Sequence, residues 1–244
     1  MTAAPTGPDP TIAWAREHLS PAYADVLVAE LEEARRDAEV LALLLTGSVA
    51  RRDALPGTDL DLRVLVRTDV APAFTRSERS GVLVERGVTT ARTAHETLLA
   101  DPMHVYAYVD GIALHDPDGA LARLRAEAER LRETYRTPPE RRDELAEALS
   151  HPEEKIRTAC AAGDLPRATY ALATASWQLI EALWAANDLP LPPNASVRPH
   201  LRDLRGPADV EHRFDDLFMT EPVRRVETGL ALLAWIRGEL TRPR

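Results

Sequence analysis

Asp59 and Asp61 flank a single leucine in the stretch TGSVARRDALPGTDLDLRV, residues 46–64. A β-strand sends alternate residues to one face, so the two carboxylates are expected to emerge together. Like charges that close repel unless something cationic sits between them. Hard carboxylate oxygens suit a divalent ion such as Mg²⁺. Upstream, Gly47 and Ser48 stand where the apolar run VLALLLT gives way to what reads as a short helix. Free backbone N–H groups and the helix dipole favour an anion there, such as a phosphate. Arg51, one turn further on, is placed to reach the same anion. A phosphate grip beside metal-binding carboxylates is the equipment for moving a nucleotidyl group, since a metal neutralises charge and aligns the reacting atoms.

Glu85, in VLVERGV, is the candidate third acid, because a charge inside an apolar strand needs a reason. It could serve as metal ligand or general base; an edge-strand ion pair with a neighbouring arginine is the plainer alternative. In SWQLIEALW, Trp177, Glu181 and Trp184 share one helical stripe. An acid between two indoles could bind an acceptor or take its proton, though the same stripe also fits core packing. Tyr170 falls two helical turns before Trp177, with packing as its expected role. His95, His104 and His115 share no metal-ligand spacing and are expected at the surface or hydrogen-bonded. DPDG at 116–119 reads as a turn, and the arginines from Arg123 to Arg142, alternating with glutamates, as a solvated helix face.

The elements that must position these residues follow from pattern. TIAWAREHL and SPAYADVLVAELEEARRDAEV read as helices, the second with Ser20 as N-cap and Pro21 at its first position. VLALLLTGS, DLDLRVLV and SGVLVERGVTT read as three strands. ARTAHETLLADPMHVYAYVDG reads as helix broken at Asp101-Pro102, IALHDPDG as a short strand and turn, and ALARLRAEAERLRETY as an amphipathic helix. Beyond RTPPE at 136–140 strand signals vanish. Three helices are expected there, RRDELAEALSHPEEKIRTACAAG, LPRATYALATASWQLIEALWAAN and EPVRRVETGLALLAWIRGEL, with the proline-rich loop DLPLPPNASVRP between the last two. The expected organisation is a disordered tail over 1–10, an α/β (α+β) domain over 11–137 and an all-α helical bundle over 138–244.

The 244 residues are enough for one large domain or two of ordinary size. A hydrophobic fraction of 45% with 28% charged residues is ordinary globular composition. A net charge of -9 disfavours nucleic acid and anionic membrane as partners while leaving nucleotides open. Cys160 is the single cysteine, which excludes an intrachain disulfide. The first ten residues lack the basic and apolar regions of a signal peptide, and no run approaches the ~20 apolar residues of a membrane span. A cytoplasmic location is the expectation.

GSVARRDALPGTDLDL resembles the signature of the polymerase-beta-type nucleotidyltransferase superfamily: a Gly-Ser pair, a spacer, then an acid-apolar-acid strand. Gly47, Ser48, Asp59 and Asp61 match it directly, and Arg51 fits the arginine often found after Gly-Ser. Arg52 stands where small residues are common, and Glu85 where aspartate is more usual. The layout is similar to that of the small bacterial enzymes that transfer AMP to antibiotics, aminoglycosides above all. The likeness covers residues 39–120 in motif and the rest in architecture. It implies a mixed-sheet catalytic domain and a helical bundle that binds the acceptor. Asp59, Asp61 and Glu85 would hold Mg²⁺, in two ions; Gly47, Ser48 and Arg51 would bind the nucleotide; ATP would be the co-substrate. The acceptor would be a small molecule with a hydroxyl, Trp177, Glu181 and Trp184 contributing to its site, in a monomer or homodimer. A nucleotidyltransferase acting on a partner protein, as in antitoxins, and a non-catalytic nucleotide binder are the alternatives.

Overall fold

The computed structural model describes residues 9–69 and 71–242. Two compact units divide the chain, Met1–Arg130 and Leu131–Arg244. The first carries the sheet and the second is helical. Residues 1–8 of the expected tail lie outside the described residues. Asp9 already caps a helix, accepting hydrogen bonds from the Thr11 and Ile12 amides.

In the first unit, helices α1 (Pro10–His18) and α2 (Pro21–Arg36) precede strand β1 (Val40–Thr46). The short helix α3 (Gly47–Arg51) then leads to β2 (Leu60–Val66), β3 (Ala73–Arg79) and β4 (Val82–Thr90). Helices α4 (Ala91–Ala100) and α5 (Val105–Val109), strand β5 (Ile112–His115) and the larger part of helix α6 (Ala120–Thr134) complete the run. The strands form one mixed sheet in the order β3-β4-β2-β1-β5. β2 and β4 are parallel, and the other neighbours are antiparallel.

Alternation along the strands separates two faces. Leu43, Leu45, Leu60, Leu62, Val82 and Val84 pack with Val26, Leu27 and Leu31 of α2 into one buried cluster. Burial of each such leucine contributes about 1.5–3 kcal/mol. Glu30 of α2 is buried beside this cluster, where Arg86 binds it through both Nε and a terminal nitrogen and Arg79 adds a third contact at 3.1 Å. The intervening residues, Asp61, Arg63 and Leu65 on β2 with Glu85, Gly87 and Thr89 on β4, line a cavity with Thr93, Ala94 and Thr97 of α4 and Tyr108 of α5.

The second unit is built on α7 (Pro139–Ala161), α8 (Leu165–Ala186) and α11 (Pro222–Leu240), with α9 (Val197–His200) and α10 (Val210–Met219) in the connection between the last two. Its core joins Leu149, Ile156, Leu183, Trp184, Leu233 and Ile236. Close packing of α8 on α11 depends on Gly229, where an added Cβ would lie 2.6 Å from the Leu172 methyl groups.

Three elements exceed the sequence expectation. β3 is a strand at the sheet's edge where none was expected, and α9 and α10 lie between the second and last expected helices of the helical half, where no helix was expected. β3 is exposed almost throughout and carries no apolar alternation, so the pattern that marks a half-buried strand is missing. No helix among the described residues is long and apolar enough to cross a membrane.

Candidate metal and nucleotide site

Strand register assembles the acids. Asp61 on β2 is the direct partner of Glu85 on the parallel strand β4, and of Thr46 on the antiparallel strand β1. Asp59 sits one residue before β2 begins, two before Asp61, and so opens toward the same face. Oxygens of Asp59, Asp61 and Glu85 lie within 4.8 Å of one another, and all three side chains are half-buried. That donor set could hold a divalent ion. Burial, followed by the charges of Asp59 and Glu85, pushes the Asp61 carboxyl up to about 6; Arg51 and Arg63 offset only part of the effect. Asp61 thus sits out of water among like charges that the nearby arginines offset only in part.

Gly47 is required by this crowding. Its φ is +72°, and a Cβ added there would fall 2.0 Å from Asp61 Oδ2 and 2.9 Å from its Cγ. The sequence suggested close approach to a phosphate; the structure adds that the Asp61 carboxylate occupies the space of the missing side chain. Thr46 Oγ1 donates to the Asp61 backbone carbonyl at 3.3 Å, tying the end of β1 to the start of β2. Gly47 and Ser48 open α3, as expected. Arg52 ends that helix in the left-handed conformation, φ 66°. That backbone geometry favours glycine, so Arg52 holds a conformation that residues with a side chain rarely adopt.

Arg51 is turned to carboxylates. Its Nε lies 3.2 Å from Asp53 and a terminal nitrogen 4.0 Å from Asp110, leaving the side chain 10% exposed. Glu85 carries the ion pair that the plainer reading required, with Arg76 Nε at 3.2 Å, and it belongs to the acid cluster as well. Arg76 stands opposite Glu85 across the β3–β4 ladder, a neighbour invisible without β3.

The acceptor stripe divides. Trp184 is wholly buried in the helical core, which corrects its expected place in an acceptor site: an indole without exposed surface cannot touch a solute. Glu181 is ion-paired with Arg141, and Trp177 is 40% exposed. All three belong to the second unit.

A cavity of about 340 Å³ adjoins the acids on the sheet face, lined by Asp61, Glu85, Arg63, Thr89, His104 and Tyr108 among others. Sequence reasoning missed the last four. They come from β2, β4, the turn before α5 and α5 itself, and no local spacing links them. His104, expected at the surface or hydrogen-bonded, is 35% exposed and 3.7 Å from Asp101, and it also lines the cavity; burial first, then the Arg63 charge, lowers its pKa.

No family model matches the chain, and no curated protein does. The solved structure of a nucleotidyltransferase-like protein from Exiguobacterium sibiricum 255-15 is similar, with a TM-score of 0.43 and 15% sequence identity, covering 88% of this chain and 74% of that one. So slight a likeness decides nothing about function, which the residues of the site must carry.

Proposed function

We propose that the protein is a metal-dependent nucleotidyltransferase that moves AMP from ATP to a hydroxyl of a small molecule and releases pyrophosphate. The observation that carries this reading is the crowding of Asp59, Asp61 and Glu85 within 4.8 Å, with Asp61 pushed up to about 6 by burial and its neighbours' charge. Carboxylates held so close are stabilised when a dication joins them. The Gly-Ser turn beside them, whose glycine is packed on Asp61, supports the phosphate side of the reading.

Asp59, Asp61 and Glu85 would hold Mg²⁺, which when bound supplies charge neutralisation and alignment of the triphosphate. Amides at Gly47 and Ser48 bind phosphate oxygens, and Arg51 joins them by exchanging its contacts with Asp53 and Asp110 for the anion. The acceptor oxygen attacks the α-phosphorus, the bond from that phosphorus to the bridging oxygen breaks, and pyrophosphate leaves. Glu85, whose carboxylate belongs to the acid cluster, takes the hydroxyl proton. Aminoglycoside-type antibiotics are the acceptors that the motif's resemblance implies, and they head the panel to be tried.

The test is incubation with ATP, Mg²⁺ and a panel of hydroxyl compounds, following pyrophosphate release and acceptor mass. An AMP-sized mass gain that Asp61→Asn abolishes supports the reading. Hydrolysis or transfer that Asp61→Asn leaves intact sinks it.

A further inference from the structure

Arg63 lies two residues beyond Asp61 on β2 and faces the same cavity. Its guanidinium stands 5.6 Å from the centre of the Tyr108 ring and also acts on that residue's hydroxyl. Half-buried arginines ordinarily meet a carboxylate, as Arg86 meets Glu30. Among the described residues no carboxylate lies within ion-pair distance of Arg63, although its charge reaches Asp61 more weakly. Across the strand pair from Arg63 stands Gly87, where an added Cβ would meet nothing within 4 Å. No side chain of β4 therefore fills the cavity at that position. Thr89, next on that face of β4, lines the cavity with a buried hydroxyl that has no hydrogen-bond partner.

From these observations we infer that the cavity binds the acceptor, and that the acceptor carries an oxyanion, a carboxylate or phosphate, recognised by Arg63. The inference rests on the nucleotidyl-transfer reading only for the word acceptor; the anion pocket stands on its own geometry. Residues two apart on a strand are separated by about 7 Å. A compound of sugar size therefore spans from its anionic group at Arg63 to a hydroxyl beside Asp61 and Glu85. Leu65, Val88 and Phe74 supply an apolar wall for its carbon skeleton. A polycation such as an aminoglycoside would bring its ammonium groups against Arg63, so this pocket selects against the acceptors that the motif's resemblance implies.

The test measures binding of glucose 6-phosphate, glucuronate, glucose and kanamycin by calorimetry, with Mg²⁺ present, to the wild type, Arg63→Gln and Arg63→Lys. ATP binding and pyrophosphate release are followed in parallel. The expected result is that one or both anionic sugars bind and the other two do not. Phosphate and carboxylate recognition are told apart by which sugar wins. Arg63→Gln should weaken the anionic sugar about ten- to a hundredfold, the worth of a charge-assisted pair, while Arg63→Lys recovers part of it and ATP affinity holds. Binding of glucose or kanamycin as tight as that of the anions, binding of none of the four, or indifference to Arg63→Gln in a variant whose melting shows it folded would each overturn the inference. An equal loss of ATP affinity in Arg63→Gln would also overturn it, by giving the pocket to the nucleotide. Anion binding lost in Arg63→Gln without any ATP turnover would leave the pocket standing and remove the nucleotidyl-transfer reading instead. ATP turnover with an Arg63-independent acceptor would do the reverse.

Discussion

Two acids, Glu153 of the helical unit and Asp61 of the sheet unit, are treated in opposite ways. In the helical unit, Glu153 is nearly buried, yet Arg237 binds one oxygen at 2.6 Å and Arg157 the other at 2.7 Å. Burial alone would raise its pKa, but those two arginines more than offset it and hold the carboxyl below its usual range. Asp216 is likewise buried and met by Arg224 at 3.0 Å. In the sheet unit the near neighbours of Asp61 are Asp59 and Glu85, and its pKa moves the other way. An acid with a cation beside it is architecture. Acids that face one another are held at a cost by the rest of the fold, and a ligand that relieves the cost is the simplest reason for them to persist.

Substitutions at the two kinds of acid should therefore differ in sign. The largest effect expected is on transfer: Asp61→Asn, measured by pyrophosphate release, should lower the rate about a thousandfold or more, since several kcal/mol of charge stabilisation go with the metal. Gly47→Ala should follow at about a hundredfold, because the new methyl collides with Asp61 Oδ2; urea unfolding should also register about 1–3 kcal/mol of strain. Removing charge from the paired acid, Glu153→Gln, should cost about 1–2 kcal/mol in urea without touching metal binding. The same removal of charge at Asp61 should stabilise the metal-free protein.

The pH dependence sharpens the contrast. Below about pH 4 Asp61 is protonated in both folded and unfolded chains and contributes nothing. Between about pH 4 and 6 the folded chain holds the extra proton, so stability falls as pH rises, and above 6 the whole penalty is present. Its size is about 1–2 kcal/mol once solvent screening of a half-exposed carboxylate is allowed for. Thermal melts of the metal-free protein should show this slope, and melts of Asp61→Asn should lack it. Smallest of all is Arg76→Ala: stability should change by less than about 0.5 kcal/mol, since Arg76 is 60% exposed. Mg²⁺ should then bind a few-fold more tightly as a competing cation leaves Glu85, and calorimetry would read this.

The same contrast explains what the sequence disclosed. Gly47, Ser48, Asp59 and Asp61 lie within fifteen residues, so their spacing alone displays them. Glu85 was legible as a charge inside an apolar strand, and the Asp61–Glu85 register shows why it stands there. Arg76 was not legible, because its strand is polar and exposed and announces itself only through pairing with β4. Arg63, Thr89, His104 and Tyr108 meet through tertiary folding alone. Trp184 misled for a related reason: helical spacing places it on a stripe with Trp177 and Glu181, but depth along that stripe is set by what packs against it. Exposure falls from 40% at Trp177 to 0% at Trp184 as α8 enters the core.

The central claim is that Asp59, Asp61 and Glu85 form a metal site. Titration of Mn²⁺, followed by loss of the free ion's paramagnetic resonance signal, tests it most directly in the wild type and in Asp61→Asn. Saturable binding in the wild type, lost in Asp61→Asn and retained in Glu153→Gln, is the predicted result. Equal binding by the wild type and Asp61→Asn, or none by either, would contradict the account.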